Sequence, residues 1–174
     1  MTASRTDRAP LLLEHLRGRL RGAALAPGDE RYDTARRAWN INAEHRPALV
    51  VLAEDAADIR TAVRFARREG LCVGVLATGH GTGVPCDGLL FNTSRMRTVR
   101  VDPGARIARV DAGAVWEDVI GAAAAHGLAG LPGSSARSAS SDTPSEAASG
   151  GWAGDMGWPR IPSPAPRSSR PTAS

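Results

Sequence analysis

The 174 residues suit one domain, and 42% apolar side chains are enough for a globular core. Net charge is only +4, and acidic residues are interleaved with the 22 basic ones, every one an arginine. Nucleic-acid binding needs clustered cations and stacking rings, so an aromatic content of 4% argues against it. Absence of lysine reads as GC-rich coding rather than as selection for cation chemistry. Cys72 and Cys86 lack metal-site spacing and read as reduced thiols of a cytoplasmic protein. No apolar run approaches the ~20 residues that a membrane helix needs.

Residues 1–10 read as a polar start. Leu11, Leu12, Leu13, Leu16 and Leu20 lie on one helical face, and Gly22 fits the stop. Residues 25–30 read as a turn, and Tyr32 to Trp39 as a short helix with arginines on its wet side. Pro47 to Ala53 reads as a buried strand. Asp55 then opens a helix to Glu69, with Ile59, Ala62, Val63 and Ala66 on its inner face and Gly70 at C′. Another apolar run with β-branched valines follows from Leu71 and reads as a second buried strand. Strand, helix and strand in this order predict a βαβ unit with parallel strands. Gly88 to Phe91 is a short strand. Thr98 to Val101 and Ile107 to Ala112 pair as a hairpin across Asp102-Pro103-Gly104-Ala105. Val115 to Ala125 is a helix that His126-Gly127 ends.

The stretch around which these elements are arranged is Ala77-Thr78-Gly79-His80-Gly81-Thr82-Gly83, at the end of the second strand. Glycines at alternate positions remove side chains and permit positive φ, so consecutive amides can converge on one anion. The G-x-G-x-G spacing is neither a Rossmann fingerprint nor a Walker loop, and Val84-Pro85-Cys86-Asp87-Gly88 cannot open the helix that a Rossmann turn needs. From the residues alone the loop points to a diphosphate without naming the molecule that carries it. An ordinary glycine-rich connection is the alternative.

Several segments occur in an order that narrows this. They are Arg46-Pro47-Ala48-Leu49-Val50-Val51, the helix from Asp58 to Glu69, Ala77-Thr78-Gly79-His80-Gly81, Asp87-Gly88-Leu89-Leu90, Ser94-Arg95-Met96, Val99-Arg100-Val101-Asp102 and Asp111-Ala112-Gly113-Ala114-Val115-Trp116. Together they resemble the FAD-binding domain of the vanillyl-alcohol-oxidase or PCMH superfamily, and most of all the berberine-bridge-enzyme-like oxidoreductases. The resemblance implies an α+β, FAD-binding type-2 (PCMH-type) fold. Its N-terminal βαβ subdomain would be followed by the start of a second α/β subdomain, incomplete here.

By that resemblance residues 1–24 are a helix with a flexible start, and 25–135 a partial FAD-binding domain. Ala77, Thr78, Gly79, His80, Gly81, Thr82 and Gly83 would hold the FAD diphosphate through main-chain amides. The family's loop histidine often bonds covalently to the flavin ring methyl, and His80 stands in its place. This chain has Thr78-Gly79 where many members have two glycines; a histidine that only contacts the cofactor is the alternative. A second attachment, through a cysteine near Leu131 to Ser135, has no residue here to make it. Trp116 reads as packing against the hairpin. The implied function is hydride transfer from an alcohol or amine carbon of a small molecule to flavin, with oxygen the reoxidant. The alternative is an inactive α+β module without catalysis. No general base, substrate or metal-ligand cluster is legible.

From Ser134 the composition changes: serine and proline crowd in, and no core periodicity survives. Residues 136–174 therefore read as a disordered tail that cannot bury enough apolar surface to fold. The family should have a glycine-rich segment here. Back-translated and read from the third base of each codon, Trp152-Ala153 and Met156-Gly157 yield glycine, and Trp158-Pro159 yields alanine, with no freedom. Filling the free bases by GC-rich usage gives PVGVVGYTLGGGLGWLGRRYGLA, which are letters of another frame and not residues of this chain. That string resembles the family's missing segment and implies a one-base slip near Ser134 to Ala136. The alternative is that GC-rich DNA yields Gly, Ala, Leu and Arg in any frame.

Overall fold

The computed structural model describes residues 9–80, 84–130 and 135–140. Helix α1 (Ala9–Leu16) opens the described chain, with Leu12, Leu13 and Leu16 buried. Strand β1 (Ala23–Leu25) follows, just before the predicted turn and sharing only Leu25 with it. It forms by pairing antiparallel with β2 (Leu49–Leu52), Ala23 opposite Leu52 and Leu25 opposite Val50. Between them lies α2 (Tyr32–Arg36), held down by the Tyr32 hydroxyl, which donates to the Pro47 carbonyl. The helix stops three residues before the predicted end at Trp39, because Arg37 turns extended at ψ 120°.

The next helix, α3 (Ala56–Glu69), is capped by Asp55, whose Oδ1 accepts from the amides of Ala57 and Asp58 at 2.8 and 3.0 Å. Its inner face is Ala62, Phe65 and Ala66; Val63, predicted to face inward, is 44% exposed. Strands β3 (Val73–Leu76) and β4 (Leu89–Asn92) complete a four-stranded sheet in the order β1-β2-β4-β3. The βαβ strands are parallel as predicted, but β4 is inserted between them, with Leu49 and Val73 both opposite Leu89. That insertion puts β3 at an edge. Val75 there is 67% exposed, so the run predicted as a buried strand is half-covered.

Every residue of β2 and β4 is buried, and their alternation serves two cores. Leu49, Val51, Leu89 and Phe91 meet α1 and α3. Val50, Leu52 and Leu90 meet Tyr32 and Ala35 of α2, with Leu76 and Cys86. Burial of each such side chain contributes roughly 1.5–3 kcal/mol. The Asp58 carboxylate, 2% exposed, accepts from the amides of Arg21, Gly22 and Glu54 at 2.8, 3.0 and 3.0 Å. It thereby fixes the entry to β1.

The second unit is the hairpin of β5 (Val99–Asp102) and β6 (Ile107–Val110), with α4 (Trp116–Ala124) beside it. Gly113 joins it to the sheet. A Cβ on Gly113 would lie 1.7 Å from the Thr93 carbonyl oxygen, so this crossing admits no side chain. Arg97 grips Asp118 of α4 through two nitrogens at 2.9 and 2.6 Å. Residues 136–140, on the tail side of the expected boundary at 135, lie against the start of α4. The carbonyls of Ser138 and Ala136 accept from the amides of Trp116 and Glu117, and Ala139 pairs with Val115 and is fully buried. These contacts satisfy first-turn donors that a helix cannot satisfy itself. The remainder of the tail, from residue 141, lies outside the described residues.

Candidate functional site

Parallel strands β3 and β4 end side by side at Leu76 and Asn92. In open α/β sheets the carboxyl ends of such strands are where ligands bind. The loop Ala77 to His80 leaves β3 at this end and is half-buried throughout. Three features shape it. Gly79 has φ +74°, and a Cβ there would come within 2.7 Å of Ala38, so both the turn and the packing demand glycine. The amides of Trp39 and Asn40 donate to the carbonyls of Thr78 and Gly79 at 3.1 and 2.9 Å. Asn92 secures the neighbouring helix by donating from Nδ2 to the Ala35 carbonyl at 2.8 Å.

With the loop carbonyls engaged on the α2 side, the amides of Thr78, Gly79 and His80 have no acceptor among the described residues. Three successive half-buried donors without partners are costly unless an anion or water meets them. They are the observation of this structure that fits a diphosphate. Of the predicted binding residues, Ala77, Thr78, Gly79 and His80 are thus brought together; Gly81, Thr82 and Gly83 lie outside the described residues.

His80 is held in a defined attitude. Its Nδ1 lies 3.1 Å from Thr78 Oγ1, and its ring stacks on Trp39 with centroids 4.3 Å apart and planes 7° from parallel. Sequence reading placed Trp39 at the end of a helix and gave it no part in the site. The available signal was a large aromatic past the last buried helical position, in a chain with four tryptophans.

In the segment before β2, His45 is 5% exposed and accepts through Nδ1 from the Cys86 amide at 3.1 Å. Burial, with the nearby Arg36 charge adding, holds its pKa below the ordinary value. Arg36 donates to the His45 carbonyl and pairs with Asp33. Burial likewise pushes the Cys86 thiol up, keeping it protonated. These bonds tie the segment that enters β2 to the one that enters β4.

A family profile described as FAD binding domain matches residues 47–155, more than half of the chain. An FAD-linked oxidoreductase of Dictyostelium discoideum is 32% identical over 115 residues, covering 65% of this chain and 25% of that protein. The crystal structure of 6-hydroxy-D-nicotine oxidase from Arthrobacter nicotinovorans superposes with a TM-score of 0.58 at 27% identity, covering 63% of this chain and 25% of that one. A berberine-bridge-enzyme-like protein of Physcomitrella patens superposes with a TM-score of 0.54 over 66% of this chain and 25% of that one; its 23% identity speaks for the fold alone. The chain thus spans about a quarter of the length of the curated relatives it matches. Among the described residues no helix is long and apolar enough to cross a membrane.

Proposed function

The chain belongs to the FAD-binding domain family, and from that premise we propose that it is the cofactor-holding part of an FAD-dependent oxidoreductase acting on a small molecule in the cytoplasm. The observation that carries this is the row of amides at Thr78, Gly79 and His80, without an acceptor among the described residues, where β3 and β4 end together. Those amides would hold the diphosphate, with Ala77 leading into the row and Gly81, Thr82 and Gly83 continuing it in sequence. When bound, FAD supplies the hydride-accepting ring, which takes a hydride from an alcohol or amine carbon and returns electrons to oxygen. The chain's own residues bind and orient: Gly79 brings the loop onto Ala38, Asn92 ties the sheet to α2, and His80 presents its imidazole beside the amides. A covalent bond from His80 to the flavin is part of this reading. The name (R)-6-hydroxynicotine oxidase, carried by a relative 27% identical over 117 residues, supports an amine carbon as the hydride source.

The reading frame belongs to the same proposal. Residues beyond about 135 come from a slipped frame, and the frame-restored string would supply the strands that the second unit lacks. The exposure of Ile107 at 56% and Val110 at 37%, on a ribbon of only two described strands, supports this. Sequencing the gene around codons 130 to 140 tests it: a family-like frame continuing downstream is expected, and its absence would remove the proposal.

Flavin absorbance of the purified chain tests the cofactor. Weak, reversible FAD retention and no turnover are expected from this chain, and firm retention once the frame is restored. Acid precipitation of the restored protein then reads the His80 bond. Colour in the pellet that His80→Ala abolishes is expected; colour left wholly in the supernatant rules the bond out.

A further inference from the structure

Trp39 is 68% exposed, which is unusual for the largest apolar side chain, yet it is not loose. Its amide is fixed to the Thr78 carbonyl at 3.1 Å, its neighbour Asn40 to the Gly79 carbonyl at 2.9 Å. Its other neighbour, Ala38, fills the space that a Cβ on Gly79 would need. These ties set the indole over the imidazole of His80 at 4.3 Å, the planes 7° apart. His80 is then constrained twice. One ring face is covered by Trp39, and Nδ1 is occupied by Thr78 Oγ1 at 3.1 Å. Nε2 has no hydrogen-bond partner among the described residues. His80 is half-buried, and its ring plane is set by these two contacts.

We propose that Trp39 is a positioning residue of the cofactor site, fixing the plane of the His80 imidazole so that Nε2 is presented to FAD beside the loop amides. Trp39 acts through His80 and does not itself carry the ligand. The proposal rests on the FAD reading above. It adds that the connection between α2 and β2 belongs to the site, because that connection delivers Trp39.

Two measurements on the full chain test it. The first needs no cofactor. In histidine-labelled protein the His80 ring protons should resonate upfield of those of His15, His45 and His126, because the indole ring current falls on them. Trp39→Ala should abolish that displacement and Trp39→Phe should keep most of it. No upfield displacement in the parent chain overturns the proposal. The second is FAD affinity by equilibrium dialysis in a double-mutant cycle. Trp39→Ala should weaken binding about five- to tenfold when His80 is present and leave it nearly unchanged in a His80→Ala background. Trp39→Phe should restore affinity to within about twofold. Equal losses in both backgrounds would show that Trp39 contacts FAD directly or supports the fold generally, and overturn the positioning role. A parent chain that shows the ring-current displacement but takes up no FAD at any concentration contradicts the FAD reading itself, and the positioning role falls with it.

Discussion

The four-stranded sheet and the β5–β6 ribbon differ in sequence as well as in burial: β2 and β4 carry no charged residue, whereas β5 and β6 interleave Arg100, Asp102 and Arg109 with their apolar residues. In the sheet, β2 and β4 are buried at every residue and covered on both faces by helices. In the ribbon, β6 is exposed at every residue. A two-stranded ribbon has marginal stability of its own and depends on packing or further strands. Here α4 packs beside it, and residues 136–140 lie against the start of α4. The sheet can therefore hold the proposed cofactor loop from one side, while the ribbon's outer strand stays exposed among the described residues.

Substitutions should separate the two regions. Phe91→Ala, at a side chain 2% exposed in the sheet core, should cost about 3–5 kcal/mol in urea unfolding. Asp58→Ala should cost about 2–3 kcal/mol, because it strands the amides of Arg21, Gly22 and Glu54 that bind the first strand to α3. The pH response comes next in size. His45 titrates below 6.5 in the folded chain, so its contribution to stability is fully present above 6.5, falls as pH drops from there, and is gone once pH passes the folded value. Unfolding midpoints across that window should decline toward acid, and His45→Gln should flatten part of the decline. The smallest effect belongs to the ribbon. Ile107→Thr should move stability by no more than about 0.5 kcal/mol. A loss at Ile107 as large as that at Phe91 would erase the contrast between the regions.

Local signals explain what was legible beforehand. Short apolar runs marked β2 and β4, Asp55 and Gly70 bounded α3 at both ends, and Asp102-Pro103-Gly104-Ala105 marked the hairpin. Strand β1 was missed because Ala23-Ala24-Leu25 has no β-branched residue and becomes a strand only by pairing with Leu52 to Val50. The position of β4 between β2 and β3 is a non-local outcome that no window of sequence contains. The loop at Thr78 to His80 could be singled out from its glycines. Its partners could not: Trp39, Asn40 and Ala38 reach it across about forty residues, and α2 has to end early for them to do so.

Most directly tested is the claim that main-chain donors at the end of β3 hold the diphosphate. Amide proton–nitrogen spectra of the chain titrated with FAD provide the test. The account predicts that the amide protons of Thr78, Gly79 and His80 move downfield together, as hydrogen bonds to phosphate oxygens form. Saturation with FAD that leaves those three resonances in place while others shift would contradict it.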